Sequence, residues 1–120
     1  MEVISMVVND EFGVMQRVMG VFTRKKINVD TIVVGRCEIV GKSRIVLTVK
    51  DMEMANVAVA DLGRLHDVVN IEVVDTTRHE AYALVENGGG TARLVGSLAE
   101  VDKIIEASKP EIFIRAVNAL

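Results

Sequence analysis

One run of residues near the N-terminus, 4–34, most strongly constrains how this chain can fold. It reads ISMVVNDEFGVMQRVMGVFTRKKINVDTIVV. A β-branched segment is followed by a polar turn over 9–13, an amphipathic segment and a second β-branched segment. In the amphipathic segment, apolar residues recur at the spacing of one helical face, which carries Val14, Val18, Val21 and Phe22. This order predicts a strand, a helix and a second strand.

Strands and helices continue to alternate through residue 76. The patterns predict strands over 3–8, 29–38, 44–49 and 68–74, and helices over 13–26 and 52–66. The order β-α-β-β-α-β is the ferredoxin-like arrangement, in which both helices cover one face of a four-stranded antiparallel sheet. The opposite face is left short of cover and carries many Val and Ile residues. We therefore expect dimerisation through the edge or the face of this sheet.

A second, smaller unit is predicted over 77–120. Its strands are expected over 81–85, 92–95 and 111–117, with the glycines at 88–90 as a turn and a helix whose capping box opens at Ser97. A ββαβ unit this short buries little apolar surface, so we expect it to lean on the first domain or on a second chain. The predicted fold class is α+β, a ferredoxin-like domain over 1–76 followed by this truncated unit.

Composition argues against nucleic acid and membranes as partners. The formal charge is -3, the isoelectric point is near 5.4 and only 3% of the residues are aromatic, so a basic surface and stacking platforms are missing. No apolar run approaches the roughly 20 residues that span a bilayer, and the acidic N-terminus is unlike a signal peptide. The single cysteine, Cys37, fits a reducing cytoplasm.

No set of residues in the sequence is arranged for catalysis or for metal binding. His66 and His79 are isolated and do not have the spacing of metal ligands. The glycines at 88–90 lack the Lys-Ser/Thr pair of a phosphate-binding loop. We therefore expect no catalytic residue, no metal and no cofactor on this chain, and predict that it is not an enzyme.

The turn between the first strand and the first helix is the strongest candidate for a binding site. Backbone N–H groups of Gly13 and Val14 lie where the helix begins and can take a carboxylate, while Asp10 can take an ammonium group. Asn28 and Val29 occupy the next helix-to-strand junction, which we expect to lie near the first at an edge of the sheet. The sequence equally allows Asp10 to be only a helix cap and Asn28 to sit in a left-handed turn.

Three segments resemble the ACT-domain regulatory (small) subunits of acetolactate synthase, also called acetohydroxyacid synthase. They are NDEFGVMQRVMGVFTRKKINVDTIVVG (9–35), SRIVLTVKD (43–51) and LHDVVNIEVVD (65–75). Two further segments, RHEAYALVEN and TARLVGSLAEVDKIIEASKPEIFIRAVNAL, resemble parts of the family's C-terminal domain. Roughly a helix and a strand of that domain are absent between them.

The resemblance implies a homodimer whose ACT domains join edge to edge, with a small amino-acid effector, valine, at the interface. The effector contacts would be Asp10, Gly13 and Val14 of one chain and Asn28 and Val29 of the facing chain. The implied partner is the catalytic large subunit, which uses thiamine diphosphate, magnesium and FAD. The implied role is feedback regulation of branched-chain amino-acid biosynthesis.

Two residues depart from the family pattern. Phe12 stands where the family has proline, and Ile27 stands where it has glycine. A bulky residue at position 12 narrows or reshapes the pocket, so the identity of the effector stays open. Two other functions stay open as well. One is a free-standing ACT amino-acid sensor that acts on another enzyme or on a transcription factor, and the other is an interaction module with an inactive pocket.

Overall fold

The computed structural model describes the backbone of residues 1–120 and every side chain except that of Thr76. Seven strands and three α-helices follow one another in the predicted order, with one short 3-10 turn, Thr76–Arg78. The strands are β1 (Glu2–Asn9), β2 (Thr31–Arg36), β3 (Lys42–Val49), β4 (Val68–Val74), β5 (His79–Asn87), β6 (Gly90–Gly96) and β7 (Ile112–Ala119). The helices are α1 (Val14–Lys25), α2 (Met52–Leu62) and α3 (Leu98–Ser108).

The first four strands form an antiparallel sheet in the order β2-β3-β1-β4, with β2 and β4 at its edges. Helices α1 and α2 pack against the face of this sheet that carries the larger buried cluster. This arrangement confirms the α+β class and the ferredoxin-like order βαββαβ. The core residues alternate along each central strand, as expected for a sheet covered by helices on that face. They include Ile4, Met6, Val8, Ile45, Leu47 and Val49 from the sheet and Val14, Val18, Val21, Phe22, Ala55, Ala58 and Leu62 from the helices.

Helix α2 ends four residues earlier than the sequence predicts. Asp51 caps its start by accepting a hydrogen bond from the backbone N–H of Met54 at 2.9 Å. At its end, the N–H of Leu65 donates to the carbonyl of Leu62, three residues back, at 3.0 Å. This tighter turn stops the helix. The predicted end at His66 is wrong because Leu65 continues the apolar period while packing against the core from a turn.

The last three strands form a second antiparallel sheet in the order β6-β5-β7. The predicted turn over 88–90 is present but one residue shorter: Asn87 pairs with Gly90, so Gly88 and Gly89 make a two-residue hairpin turn and Gly90 begins β6. Ser97 and Glu100 form the predicted capping box at the start of α3, in which each side chain accepts from the other residue's backbone N–H.

The two sheets share a second buried cluster, which corrects one expectation. Val3, Val46 and Val74 project from the helix-free face of the first sheet and are almost fully buried. They pack with residues of the second sheet and of α3, namely Ala81, Ala83, Val101, Val117 and Ala119. The helix-free face is therefore covered at these valines by the same chain. This contact agrees with a C-terminal unit that leans on the first sheet, in which β2 is an edge strand that pairs only with β3 among the described residues.

Shortening Val117 should destabilise the whole chain, because its side chain is fully buried in the shared cluster. We expect Val117→Ala to cost about 1–3 kcal/mol of unfolding free energy, from lost burial and a residual cavity. Val95→Ala, at a position 64% exposed in β6, is the matched control and should change little. Urea unfolding, followed by circular dichroism and by the fluorescence of Tyr82, the single tyrosine, measures the unfolding free energy of both variants. Equal losses would contradict the shared cluster.

Candidate functional site

The candidate loop bends into α1 through Gly13, which has a left-handed backbone with φ of 86°. A residue with a side chain is strained in that conformation, so glycine suits this position. Gly13 is the N-terminal cap residue of α1, and the described residues offer no side-chain cap there. The interpretation of Asp10 as only a helix cap is therefore wrong. The Asp10 side chain is exposed.

Backbone hydrogen bonds hold the loop on the sheet at its first two residues. The N–H of Asn9 donates to the carbonyl of Asp67 at 2.9 Å, and the N–H of Asp10 donates to the carbonyl of Gly41 at 2.9 Å. The side chain of Lys42 also donates to the amide oxygen of Asn9 at 2.6 Å. The loop is thus fixed by β3 and by the entry to β4, which gives the start of α1 a defined position.

The two predicted N–H donors differ in their availability. The N–H of Val14 donates to the carbonyl of Glu11 over a long 3.3 Å, and the Val14 side chain is buried in the core. No hydrogen bond from the N–H of Gly13 is made to any residue that the structure describes. Gly13 is therefore the better donor for a bound carboxylate, and Val14 would have to exchange one bond for another. The Phe12 side chain is fully exposed, so it does not cover this donor in the chain.

Arg17 and Asp67 complete the loop, and the sequence analysis missed both. The guanidinium of Arg17 lies beside Gly13, where a Cβ atom would be 3.1 Å from one of its terminal nitrogens. Its Nε donates to the carboxylate of Asp67 at 2.5 Å, and the Asp67 side chain is only 7% exposed. This hydrogen bond lowers the pKa of Asp67 and raises the pKa of Arg17. The pair is neutral overall, but Asp67 accepts from Nε, so the terminal nitrogens of Arg17 can still donate to a carboxylate at the helix end.

Asn28 and Val29 lie in the connection between α1 and β2. They line an open groove of about 450 Å³ beside the last turns of α1, with Met19, Phe22, Thr23, Lys26 and Ile27 as the other lining residues. The Asn28 side chain is exposed. The only two positive-φ residues other than glycine in the described backbone are Lys26 and Lys109. The interpretation of Asn28 as a left-handed turn residue is therefore wrong, since Lys26 ends the helix in that conformation.

The two halves of the candidate site lie at opposite ends of α1 within one chain. Twelve residues of helix separate them, and at a rise of about 1.5 Å per residue this is about 18 Å. The sheet agrees, because Asn9 pairs with Lys42 at one end while Thr31 pairs with Thr48 at the other. The expectation that both junctions lie close together is wrong for a single chain. We call the loop with Asp10, Gly13 and Val14 the Gly13 half-site, and the connection with Asn28 and Val29 the Asn28 half-site. Only a second chain can bring an Asn28 half-site against a Gly13 half-site.

Among the described side chains, no group of three His, Cys, Asp or Glu residues is placed to hold a metal ion. No helix in the described part of the chain is long and apolar enough to cross a membrane.

Replacing Asp67 should weaken the fold in a pH-dependent way. Because pairing with Arg17 depresses the pKa of Asp67, the pair stabilises the chain above the ordinary pKa of 3.8. This stabilisation is lost as pH falls through the lower folded-state pKa. We expect the melting temperature of Asp67→Asn to lie below that of the wild type by a constant amount from pH 7 to about pH 4. The gap should close in stronger acid, and calorimetric scans that showed it widening there would contradict the pairing.

Comparison with known proteins finds a matching family model and solved structures of the same fold. A family model described as the AHAS small subunit-like ACT domain matches residues 4–70. The structure of an acetolactate synthase small subunit from Thermotoga maritima superposes with a TM-score of 0.75 at 23% sequence identity. That match covers 99% of this chain and 95% of the other.

Two more distant structures share the fold. The ligand-free regulatory subunit of aspartate kinase from Thermus thermophilus gives a TM-score of 0.59 at 17% identity, covering 98% of this chain and 81% of that one. A protein from Bacteroides thetaiotaomicron gives 0.53 at 12% identity, covering 96% and 92%. Identities this low show a common fold and nothing about a ligand.

Proposed function

We propose that this chain, which belongs to the family of AHAS small subunit-like ACT domains, is a non-catalytic regulatory subunit of acetolactate synthase. It would bind a branched-chain amino acid such as valine between two copies of itself and modulate the catalytic subunit. The single observation that carries this proposal is the separation of the two half-sites at opposite ends of α1, in a sheet whose edge strand is β2.

Pairing of two β2 edges supports the composite site. An edge strand presents unpaired N–H and C=O groups to a second strand. Two copies of β2 related by a two-fold axis run antiparallel, so the start of one strand faces the end of the other. Asn28 precedes the start of β2, whereas the Gly13 loop lies at the end of the sheet where β2 finishes. A β2–β2 dimer would therefore bring each Asn28 towards the Gly13 loop of the partner.

The chemistry of the paired half-sites suits a free amino acid. The free N–H of Gly13, the start of α1 and the guanidinium of Arg17 all favour the ligand's carboxylate. The exposed carboxylate of Asp10 suits the ammonium group, and the amide of Asn28 can donate to one group and accept from the other. The apolar side chains of the groove beside Val29 suit an aliphatic ligand side chain.

Regulation would act through the partner enzyme. We propose that ligand binding biases this subunit between two states that differ in their effect on the catalytic large subunit, with a coupling of about 1–3 kcal/mol. The thiamine diphosphate, magnesium and FAD that the resemblance implies would belong to that partner. We place the complex in the cytoplasm, since a chain with one cysteine suits a reducing compartment.

Two measurements test this function. Titration calorimetry with valine, leucine and isoleucine should give saturable heat for at least one of them, and a thermal shift should accompany it. Co-purification from the native host should recover a thiamine-dependent large subunit. Amino-acid binding without that enzyme would favour a free-standing sensor. Recovery of the enzyme without amino-acid binding would favour an interaction module. Finding neither amino-acid binding nor the enzyme would contradict the proposal.

A further inference from the structure

One arginine links the second sheet to the segment that carries Asn28. Arg115 lies in β7, and its guanidinium contacts the carboxylate of Asp30, two residues after Asn28. The same guanidinium contacts the carboxylate of Asp102 in α3. A single planar fork thus joins the α1–β2 connection, β7 and α3.

The environment of Arg115 makes this link more than a surface ion pair. Its side chain is 16% exposed, and its buried Nε has no hydrogen-bond partner in the part of the chain that the structure describes. Burial reduces the screening of its charge, so losing a carboxylate partner would leave a poorly solvated cation. By contrast, Arg44 in β3 pairs with Glu38 in the β2–β3 connection, and among the described residues it forms no ion pair with the second sheet.

The position of Asp30 connects this pair with the half-site. Its backbone N–H donates to the carbonyl of Thr48 in β3 at 2.9 Å, which fixes Asp30 at the entry to β2. A ligand held by Asn28 and Val29 would restrain the residue that follows them. The restraint would then reach β7 and α3 through the guanidinium.

We propose that Arg115 is a positioning residue that transmits effector binding from the Asn28 half-site to the C-terminal unit. This inference rests on the proposed function, since it requires a ligand at that half-site. Binding of valine would order the connection at Asp30, and through Arg115 it would lower the local opening of β7 and α3. The C-terminal unit would thereby respond to a ligand that it does not touch.

Hydrogen exchange on the full chain, with and without saturating valine, tests the inference. In the wild type we expect slower exchange in the segments around Gly13 and Asn28, and also in β7 and α3, by about fivefold or more. In Arg115→Gln the slowing should remain around Gly13 and Asn28 but disappear from β7 and α3. Arg115→Lys keeps the charge without the fork and should restore part of the effect. Arg44→Gln, which breaks an ion pair between β3 and the β2–β3 connection, should behave as the wild type.

Several outcomes separate this inference from the proposed function. Two outcomes would overturn the inference alone. One is slower exchange in β7 and α3 that persists in Arg115→Gln, and the other is slower exchange in the wild type that is confined to the segments around Gly13 and Asn28. No slowing anywhere in the wild type would overturn the proposed function and the inference with it. If Arg115→Gln does not fold, Asp30→Asn removes the same contact from a carboxylate that is 46% exposed, and it should give the same loss.

Discussion

Gly13→Asp should abolish amino-acid binding, lowering affinity by about a hundredfold or more, because it places a carboxylate where the ligand's carboxylate would lie. A Cβ atom added at this position would lie 3.1 Å from a terminal nitrogen of Arg17. The introduced carboxylate would pair with Arg17 and with the start of α1, and would thus compete with the ligand from within the chain. Titration calorimetry with valine measures the loss.

Gly90→Asp is the matched control for this prediction. Gly90 also has a positive φ, of 136°, no atom lies within 4 Å of its Cβ position, and it lies in β6 of the second sheet. Both substitutions should cost about 1 kcal/mol of stability through backbone strain. Only Gly13→Asp should lose the heat of valine binding. Equal loss in both variants would mean that strain, and not the introduced carboxylate, disrupts the site.

Phe22→Ala should cost about 3–5 kcal/mol of unfolding free energy, a large part of the 5–15 kcal/mol typical of a domain. Phe22 lies in α1, is 2% exposed and belongs to the cluster that α1 and α2 bury against the first sheet. Removing its ring leaves a cavity that the strands beneath cannot close. Urea unfolding followed by circular dichroism measures the change.

The chain supplies its own control for that cavity. Phe12 is the same residue type, yet its side chain is fully exposed. Phe12→Ala should therefore change the unfolding free energy by no more than about 0.5 kcal/mol. A large loss in both variants would show that a second chain buries Phe12 in solution. A small loss in both would show that Phe22 is not part of the core.

Local patterns were enough to predict the elements of this fold. Alternating β-branched residues marked the strands, the spacing from Val14 to Phe22 marked α1, and the box at Ser97 marked the start of α3. The predicted end of an element was wrong where the local pattern of apolar residues continues beyond the element. Leu65 keeps the helical period beyond the end of α2, and it is a turn residue that packs inward.

The long-range parts of the site left no such pattern. Arg17 meets Asp67 across 50 residues, and Arg115 meets Asp30 across 85. A charged pair at these separations has no periodicity that a sequence reveals. The separation of the Gly13 and Asn28 half-sites was also missed, because the direction of α1 across the sheet must be combined with its length. The residues at the β1–α1 and α1–β2 junctions could thus be predicted from the sequence. The distance between these junctions in one chain could not.

Mixing two inactive variants tests the composite site most directly. Gly13→Asp damages one half-site and Asn28→Ala damages the other, so each variant alone should bind no valine. In a mixed dimer both changes fall in one site, and the second site is intact. Equal amounts, unfolded together and refolded, should recover about a quarter of the wild-type binding sites at wild-type affinity. A mixture that binds no valine, although each variant folds and dimerises, would contradict a site shared between two chains.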